Sequence, residues 1–235
     1  MKDSKIKIIL TTILIGLLII VMIIKGQDLI KTNKISNNDS IKFKEEYESL
    51  NGKYDNVRER EYLDVNISSD NPVKYATFTE ISDLIDHGTC VIYFGFPECP
   101  WCRNAVPVLL EAAETTGVDT IYYFNALDIR DEKFLDANGE IVTTKEGTKE
   151  YKQLLKKLDK YLSVYSGLND DSIKRLYFPT VFFIKEGVVI GNHIGTVDSH
   201  TDSKVKLNSE QKLELKNIYE DFMMKVLDSS CDKEC

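Results

Sequence analysis

The sequence predicts an α/β fold in which a central mixed sheet is flanked by helices. Residues 90–96, CVIYFGF, and 120–126, TIYYFNA, are continuous apolar runs, typical of strands that are buried on both faces. A helical pattern between them ends at Gly117, and the order of strand, helix and strand is the βαβ unit of a parallel sheet. Two further strands joined by a short turn, in 177–197, and a last amphipathic helix, in 209–230, complete the predicted fold.

The first part of the chain predicts a transmembrane helix. Residues 8–24 carry no charge, and an apolar helix of that length covers most of the ~30 Å hydrocarbon core of a bilayer. Lysines precede it, so the positive-inside rule predicts a cytoplasmic stub at 1–7 and an extracytoplasmic location for the rest of the chain. A cleaved signal peptide is the alternative, but the apolar run is longer than its usual core and no small-residue cleavage site follows.

Composition excludes one class of partner. The chain has 38 acidic residues against 30 lysines and arginines, which gives a net charge of −8, whereas nucleic-acid binding requires a basic patch. With 235 residues and 43% hydrophobic content, the chain can form one medium-sized domain with its own core. We therefore expect a globular domain without a nucleic-acid partner.

A spacer and two short elements are predicted between the membrane segment and the first buried strand. Residues 25–58 begin with a polar stretch, and 41–54 then place apolar side chains at helical spacing. Residues 62–67 alternate in part and predict an early strand. Thr79 is predicted to cap a helix that stops at Gly88.

Residues 127–177 are predicted to form an insertion with a helix of its own. Asn138-Gly139 is a strong type I′ turn signal for a small hairpin, and 149–167 has the apolar stripe of an amphipathic helix. The main domain, with this insertion, is predicted to cover 59–230 and to be followed by a cysteine-containing tail at 231–235.

The stretch 94–107, FGFPECPWCRNAVP, places two cysteines at the start of the helix that follows the first buried strand. There Cys99 lies where free backbone N–H groups and the positive end of the helix dipole converge, so its thiolate is stabilised. We expect Cys99 to be reachable and Cys102, one turn further on, to be screened from solvent. Cys99 can then attack a disulfide and Cys102 can resolve the mixed disulfide. A static disulfide, or a zinc site that also uses Cys231 and Cys235, is the alternative.

With these residues the chain resembles thioredoxin-fold oxidoreductases. Pro107 lies five residues after Cys102, where thioredoxins carry the proline that kinks the active-site helix, and the Phe-Pro-Thr of 178–180 opens a strand as the family's cis-proline does. Gly195 has the spacing of a family glycine after the final hairpin. Together with the membrane segment, FGFPECPWC and YFPTVFF also resemble membrane-anchored thioredoxin-like proteins of Gram-positive bacteria, some related to bacteriocin-maturation accessory proteins. The resemblance implies a thioredoxin-like fold over 59–230.

The sequence departs from that family around the cysteines. Tyr93 stands where thioredoxin has the buried aspartate that accepts the proton of the inner cysteine. Glu98 is the remaining candidate base, although a neighbouring carboxylate also raises the pKa of a thiol. The dipeptide Pro100-Trp101 replaces Gly-Pro, and a first proline resembles glutaredoxins and the oxidase DsbA. The residues expected to tune the redox potential are Pro100, Glu98, Tyr93 and Pro107. The direction of electron flow stays open.

The resemblance implies thiol–disulfide exchange with protein or peptide substrates, with Cys99 as the attacking thiolate and Cys102 as the resolving thiol. Phe178 and Pro179 are expected to hold the partner chain through backbone hydrogen bonds. Trp101 is either a docking surface or part of the packing against the cis-proline loop. No cofactor or metal is required, and a membrane redox partner is expected to recycle the thiols. The alternative is a non-catalytic accessory subunit of a bacteriocin-type exporter that docks peptides.

The other cysteines and the histidines carry weaker signals. Cys231 and Cys235 are expected to form a second disulfide, to act as an accessory relay, or to be inert. Cys90 is predicted to be a small buried hydrophobic residue. The histidines have no metal-ligand spacing and are all predicted at the surface: His87, His193 and His200.

Overall fold

Helices and short strands alternate along residues 38–56 and 59–228, the part of the chain that the computed structural model describes. The helices are α1, which covers residues 38–48, α2 (Phe78–His87), α3 (Pro100–Thr116), α4 (Lys149–Leu158) and α5 (Ser209–Leu227). The strands are β1 (Tyr54–Asp55), β2 (Arg60–Glu61), β3 (Val73–Tyr75), β4 (Cys90–Phe94), β5 (Ile121–Phe124), β6 (Glu132–Leu135), β7 (Ile141–Lys145), β8 (Ser163–Val164), β9 (Lys174–Arg175), β10 (Thr180–Lys185) and β11 (Val188–Ile194).

A five-stranded mixed sheet in the order β11-β10-β4-β5-β3 forms the centre of the fold. Strand β5 runs parallel to β3 and β4, whereas β10 runs antiparallel to β4 and β11. The parallel strands β4 and β5 are connected through α3, which confirms the predicted βαβ unit. The mixed sheet with its flanking helices fits a thioredoxin-like fold.

Strand β4 lies at the centre of the core, and all of its residues are buried because helices cover both faces of the sheet. Tyr93 points towards α1, where its ring meets Phe43 at 6.4 Å. Phe94 points to the other face, where its ring lies 5.8 Å from Phe182, which in turn contacts Tyr161 after α4. On the face of Tyr93, α5 packs against α3; on the other face, α2 contacts α4.

Capping residues fix the ends of α2 and α3. The Thr77 side chain accepts a hydrogen bond from the Glu80 N–H, and the Glu80 carboxylate accepts one from the Thr77 N–H. This capping box starts α2 two residues before the position predicted from Thr79. The predicted stops are confirmed: α2 ends at Gly88, and α3 ends at Gly117, whose φ of 79° lies in the left-handed region that glycine tolerates.

The strand predicted at 62–67 is wrong, because this segment hydrogen-bonds to side chains of the preceding segment instead of pairing with a strand. The Asn51 side chain both accepts from the Val65 N–H and donates to its carbonyl. The Ile67 N–H donates to the Glu48 carboxylate. The sheet edge is formed by β3 instead, which among the described strands pairs with β5 alone.

The insertion contains the predicted hairpin between β6 and β7, but its turn is not type I′. Only Gly139, with φ of 80°, has a positive φ, whereas type I′ requires two such residues. The Asp136 carboxylate accepts hydrogen bonds from the N–H groups of Asn138 and Glu140, which stabilise this loop.

The helix predicted at 149–167 is shorter in the structure. Helix α4 ends at Leu158 and continues as one 3₁₀ turn, Asp159–Tyr161. The chain then becomes extended, because β8 pairs antiparallel with β9.

Several predictions fall outside the described residues. These are the stub at 1–7, the transmembrane helix at 8–24, the first part of the spacer and the tail at 231–235. The helix predicted at 41–54 corresponds to α1. Among residues 38–56 and 59–228, no helix combines the length and the apolar character that crossing a bilayer requires.

Candidate active site

Cys99 and Cys102 lie at the start of α3, a few residues after the end of the buried strand β4. Cys99 is the N-cap residue, and its sulfur accepts a hydrogen bond from the Cys102 N–H at 3.3 Å. Pro100 occupies the first turn, where its missing N–H leaves no helical hydrogen bond unmade. The positive end of the helix dipole therefore acts on the Cys99 sulfur.

The second part of the site is the loop that leads into β10. The Phe178–Pro179 peptide bond is cis. The Phe178 carbonyl oxygen lies 3.6 Å from the Cys99 sulfur and accepts a hydrogen bond from it when the thiol is protonated. The Phe178 ring packs edge-on against Phe96, with 5.4 Å between the centroids. The structure thus brings together Cys99, Phe178 and Pro179, which the sequence had singled out separately.

The two sulfurs have different surroundings. Cys102 is fully buried, and Cys99 keeps 5% of its surface exposed, so Cys99 is less reachable than expected because it packs against the Phe178 backbone. Burial raises the pKa of Cys99, but hydrogen bonds from the Cys102 thiol and from the N–H groups of Cys102 and Trp101 outweigh it, and the pKa lies below its ordinary value. Burial and the neighbouring Cys99 hold the pKa of Cys102 well above its ordinary value.

A positive charge lies beside Cys99, and sequence analysis missed it. Arg60 of β2 donates from Nη2 to the Glu98 carbonyl oxygen at 3.2 Å, and its Nε lies 3.9 Å from the Asp55 carboxylate. Burial raises the pKa of Cys99, and the Arg60 guanidinium opposes that rise together with the hydrogen bonds. No sequence signal marks Arg60, because 38 residues separate it from Glu98.

The residues predicted to tune the redox potential of the Cys99–Cys102 pair differ in what their side chains contact. Glu98 is half-buried, and among the described residues its carboxylate makes no hydrogen bond to either sulfur. Tyr93 is 1% exposed, and its hydroxyl lies 2.7 Å from that of Tyr47 in α1. Pro107 lies inside α3, where it removes one backbone donor. Of these, Tyr93 is the one whose side chain lies in the buried cluster around Cys102.

A groove of about 350 Å³ is lined by Trp101, which lies between the two cysteines in the sequence, and by Phe178 of the cis peptide bond. Trp101 lines it from α3, and its ring packs edge-on against His200 at 5.1 Å. Tyr177 and Phe178 also line it, at the cis peptide bond. Trp101 is half-buried there, and the ring it is shown to pack against is that of His200, so its role in docking a substrate stays a prediction.

The prediction that all three histidines lie at the surface holds only for His87. His200 is buried, and its two ring nitrogens are satisfied by hydrogen bonds with the Thr196 hydroxyl and the Val205 carbonyl. His193 is half-buried, with its ring nitrogen 2.6 Å from the Thr196 carbonyl oxygen.

Arg103 connects the N-terminal segment to the active-site helix, and sequence analysis missed it as well. Its side chain is 2% exposed. It donates to the backbone carbonyls of Leu63 at 2.6 Å, Tyr47 at 2.8 Å and Pro97 at 3.2 Å. It also donates to the Asn51 side chain at 2.7 Å. The guanidinium therefore holds α1 and the following loop against the start of α3.

The remaining thiols are separate from the site. Cys90 is buried in β4, as predicted, and burial raises its pKa to about 12. Cys231 and Cys235 lie outside the described residues, so their predicted disulfide stays a prediction. Over residues 38–56 and 59–228, no cluster of three or more histidine, cysteine or acidic side chains is arranged to hold a metal ion.

One solved structure that is similar to this chain is thioredoxin O2 from Arabidopsis thaliana in its oxidized state. The sequence identity is 18% and the TM-score is 0.35, and the match covers 64% of this chain and 94% of the thioredoxin. No protein-family model and no curated protein matches the chain.

Proposed function

We propose that the protein is a thiol–disulfide oxidoreductase that exchanges disulfides with protein or peptide substrates through Cys99 and Cys102. The observation that supports this most strongly is the position of the Cys99 sulfur. It accepts the Cys102 N–H at the start of α3 and lies 3.6 Å from the carbonyl oxygen of the cis Phe178–Pro179 peptide. The helix start stabilises a thiolate, and the backbone of such a loop can pair with a substrate chain.

The exchange needs no cofactor. The Cys99 thiolate attacks one sulfur of a substrate disulfide, that S–S bond breaks, and the first substrate thiolate leaves. The Cys102 sulfur then attacks Cys99, the bond between Cys99 and the substrate breaks, and the second substrate thiolate leaves with the proton that Cys102 gives up. The substrate gains two electrons and the protein holds a Cys99–Cys102 disulfide. The reverse sequence oxidises a substrate dithiol.

The test is turnover by the full-length protein in detergent. With dithiothreitol as electron donor, we expect the purified protein to accelerate the reduction of insulin disulfides, or with an oxidant to accelerate the oxidation of a dithiol peptide. Trp101 and the groove beside it are expected to contact the substrate chain next to its cysteine. Absence of turnover in both directions, over a range of redox buffers, would contradict the proposal.

We further propose that the exchange takes place on the outer side of a cell membrane. The apolar run at 8–24 supports an anchor, and the resemblance to membrane-anchored thioredoxin-like proteins of Gram-positive bacteria, including relatives of bacteriocin-maturation accessory proteins, supports this location. A membrane redox partner would then recycle the couple. A cysteine introduced at exposed Glu140 should react with an impermeant maleimide in intact cells. Labelling that requires lysis would argue against this location.

The second candidate is a non-catalytic subunit that docks peptides for an exporter. The 5% exposure of Cys99 favours it, because a buried sulfur reacts slowly with a folded substrate. Cys99→Ser combined with Cys102→Ser separates the two functions in the native host. Loss of the phenotype supports disulfide exchange, whereas full retention supports docking.

Arg60→Gln is expected to move the reactivity of Cys99 to higher pH. Burial raises the pKa of Cys99, and the variant removes one of the contributions that lower it, so less thiolate is present at pH 7. The rate of iodoacetamide alkylation of Cys99, measured against pH, should have a higher midpoint than in the parent protein. Arg60→Lys keeps the charge and is the matched control. Equal midpoints for Arg60→Gln and the parent would exclude this role for Arg60.

A further inference from the structure

Arg130 lies at the same end of the sheet as the two cysteines, where its guanidinium meets the ring of Phe178. The carboxyl ends of parallel strands lie at the same edge of a sheet, and Arg130 follows β5 as Cys99 follows β4. The guanidinium carbon of Arg130 lies 5.1 Å from the centre of the Phe178 ring. The carbonyl oxygen of Phe178 lies 3.6 Å from the Cys99 sulfur. Arg130 therefore contacts the residue that also contacts the reactive cysteine.

The half-buried guanidinium of Arg130 has donors that the described part of the chain leaves unsatisfied. Its Nε is buried and has no hydrogen-bond partner there, and no carboxylate of the described residues lies within ion-pair distance. The adjacent Asp131 carboxylate is paired with Lys133 at 3.5 Å, and Glu132 is exposed. A charge in a half-buried place is costly unless it is paired and hydrogen-bonded. The unsatisfied donors of Arg130 therefore indicate an anionic ligand.

A second arginine adds to this positive charge. Arg175 of β9 donates from Nη2 to the carbonyl oxygen of Asp131, the residue after Arg130, at 3.3 Å. Its Nε is also buried without a hydrogen-bond partner among the described residues, and its guanidinium lies 4.2 Å from the centre of the Tyr165 ring. Burial and the charge of Arg175 lower the pKa of Arg130. Because Lys133 balances the Asp131 carboxylate, the two guanidiniums leave a net positive charge.

Arg130 and the groove lined by Trp101 lie on different sides of the reactive cysteine. In the sheet order β11-β10-β4-β5-β3, the groove is lined by residues that end or follow β11, whereas Arg130 follows β5. Strand β4, which leads to Cys99, and strand β10, which follows the cis peptide, lie between them. A substrate chain that occupies the groove on one side of its cysteine can therefore extend towards Arg130 on the other side.

We propose that Arg130, together with Arg175, binds the carboxylate of an acidic residue close to the substrate cysteine, so that the preferred substrates are acidic peptides. The planar fork of N–H donors on a guanidinium matches the two oxygens of a carboxylate, and such charge-assisted hydrogen bonds are stronger than neutral ones. Arg130 is in this role a substrate-binding residue. The role rests on the proposed disulfide exchange and names its substrate class.

The experiment compares matched peptides that contain a single cysteine, activated as a mixed disulfide with 2-thiopyridine. A glutamate stands in turn at each position within three residues of the cysteine, and each peptide has a twin with glutamine there. Reduced full-length protein in detergent, with Cys90→Ala, Cys231→Ser and Cys235→Ser, is mixed with each peptide. The Cys99 thiolate attacks the peptide sulfur, the bond to the pyridine sulfur breaks, and the leaving thiolate takes up a proton from water. The absorbance of the released pyridine-2-thione gives the rate.

At one or more positions the glutamate peptide is expected to react about three- to tenfold faster than its glutamine twin. The net charge of −8 on the whole chain favours the opposite order, so a faster glutamate peptide indicates a local site. Arg130→Gln should bring the ratio of the two rates close to unity. Arg130→Lys should keep part of the ratio, because the charge remains but the fork is lost. Both rates of a ratio come from one protein, so a change in the intrinsic reactivity of Cys99 cancels.

Lys174→Gln is the matched control. It removes a positive charge next to Arg175, but the Lys174 side chain is already paired with Asp159 at 3.2 Å, so the variant should keep the ratio of the parent protein. Equal rates for every glutamate peptide and its twin overturn the proposal, as does a ratio that survives Arg130→Gln or falls equally in Lys174→Gln. Absence of release from all peptides and from uncharged dipyridyl disulfide overturns the proposed function and, with it, this role.

Discussion

Full-length protein that carries Cys99→Ser is expected to show no disulfide exchange above the uncatalysed background. A hydroxyl is not ionised near neutral pH, so the nucleophile at the start of α3 is lost although the N-cap hydrogen bond can be kept. Cys102→Ser is expected to keep the first step and to stop the second. It should therefore accumulate a mixed disulfide between Cys99 and the substrate, which intact-protein mass spectrometry detects as a covalent adduct.

Cys90→Ala provides the control for the loss of a thiol. Cys90 is buried in β4, and its pKa of about 12 leaves it protonated. We expect this variant to keep the turnover of the parent protein. Turnover that survives in Cys99→Ser, or an adduct that forms on another cysteine in Cys102→Ser, would be incompatible with the assigned roles.

Arg103→Met is expected to have the largest effect on stability, a loss of about 3–5 kcal/mol in the free energy of unfolding. Arg103 is 2% exposed and satisfies three backbone carbonyls and the Asn51 side chain. Methionine fills much of the same volume but donates nothing, so these acceptors lose a charged donor in a buried place. The loss should also loosen the contact between α1 and α3.

Urea unfolding followed by the fluorescence of Trp101, the single tryptophan, measures this change. Glu114→Ala, an exposed change on the same helix, is the matched control and should alter the free energy of unfolding by less than about 0.5 kcal/mol. A similar small effect for Arg103→Met would show that α1 and the following loop contribute little to the stability of the domain.

Local patterns in the sequence were sufficient for the central sheet and for the two halves of the site. Strand β4 is a continuous apolar run, and α3 begins a few residues after it. The apolar runs of the strands and the helical pattern between them were therefore enough to predict the βαβ unit. The placement of Cys99 at a helix start follows from the same pattern. The contact between Phe178 and Cys99 could be predicted only from the resemblance to a known family, because 79 residues separate the two in the sequence.

The contributions of the N-terminal segment could not be predicted, because they depend on single side-chain contacts across long separations. Tyr47 fits a helical apolar stripe, yet nothing in its surroundings indicates a hydrogen bond to Tyr93. The alternation at 62–67 indicated a strand, but the backbone there is satisfied by Asn51 and Glu48 side chains, which periodicity does not consider. The prediction that His200 lies at the surface was wrong for the same reason, because its burial depends on hydrogen bonds to Thr196 and Val205 in a loop.

The reduction potential of the Cys99–Cys102 couple tests the central claim most directly. Full-length protein is equilibrated in redox buffers of graded potential, trapped by alkylation, and the two cysteines are quantified by mass spectrometry. We expect a reversible two-electron transition between about −270 mV, as in thioredoxin, and about −120 mV, as in DsbA, and its position gives the direction of electron flow. Two thiols that stay reduced, or a disulfide that stays closed, at every potential in that range would contradict the account.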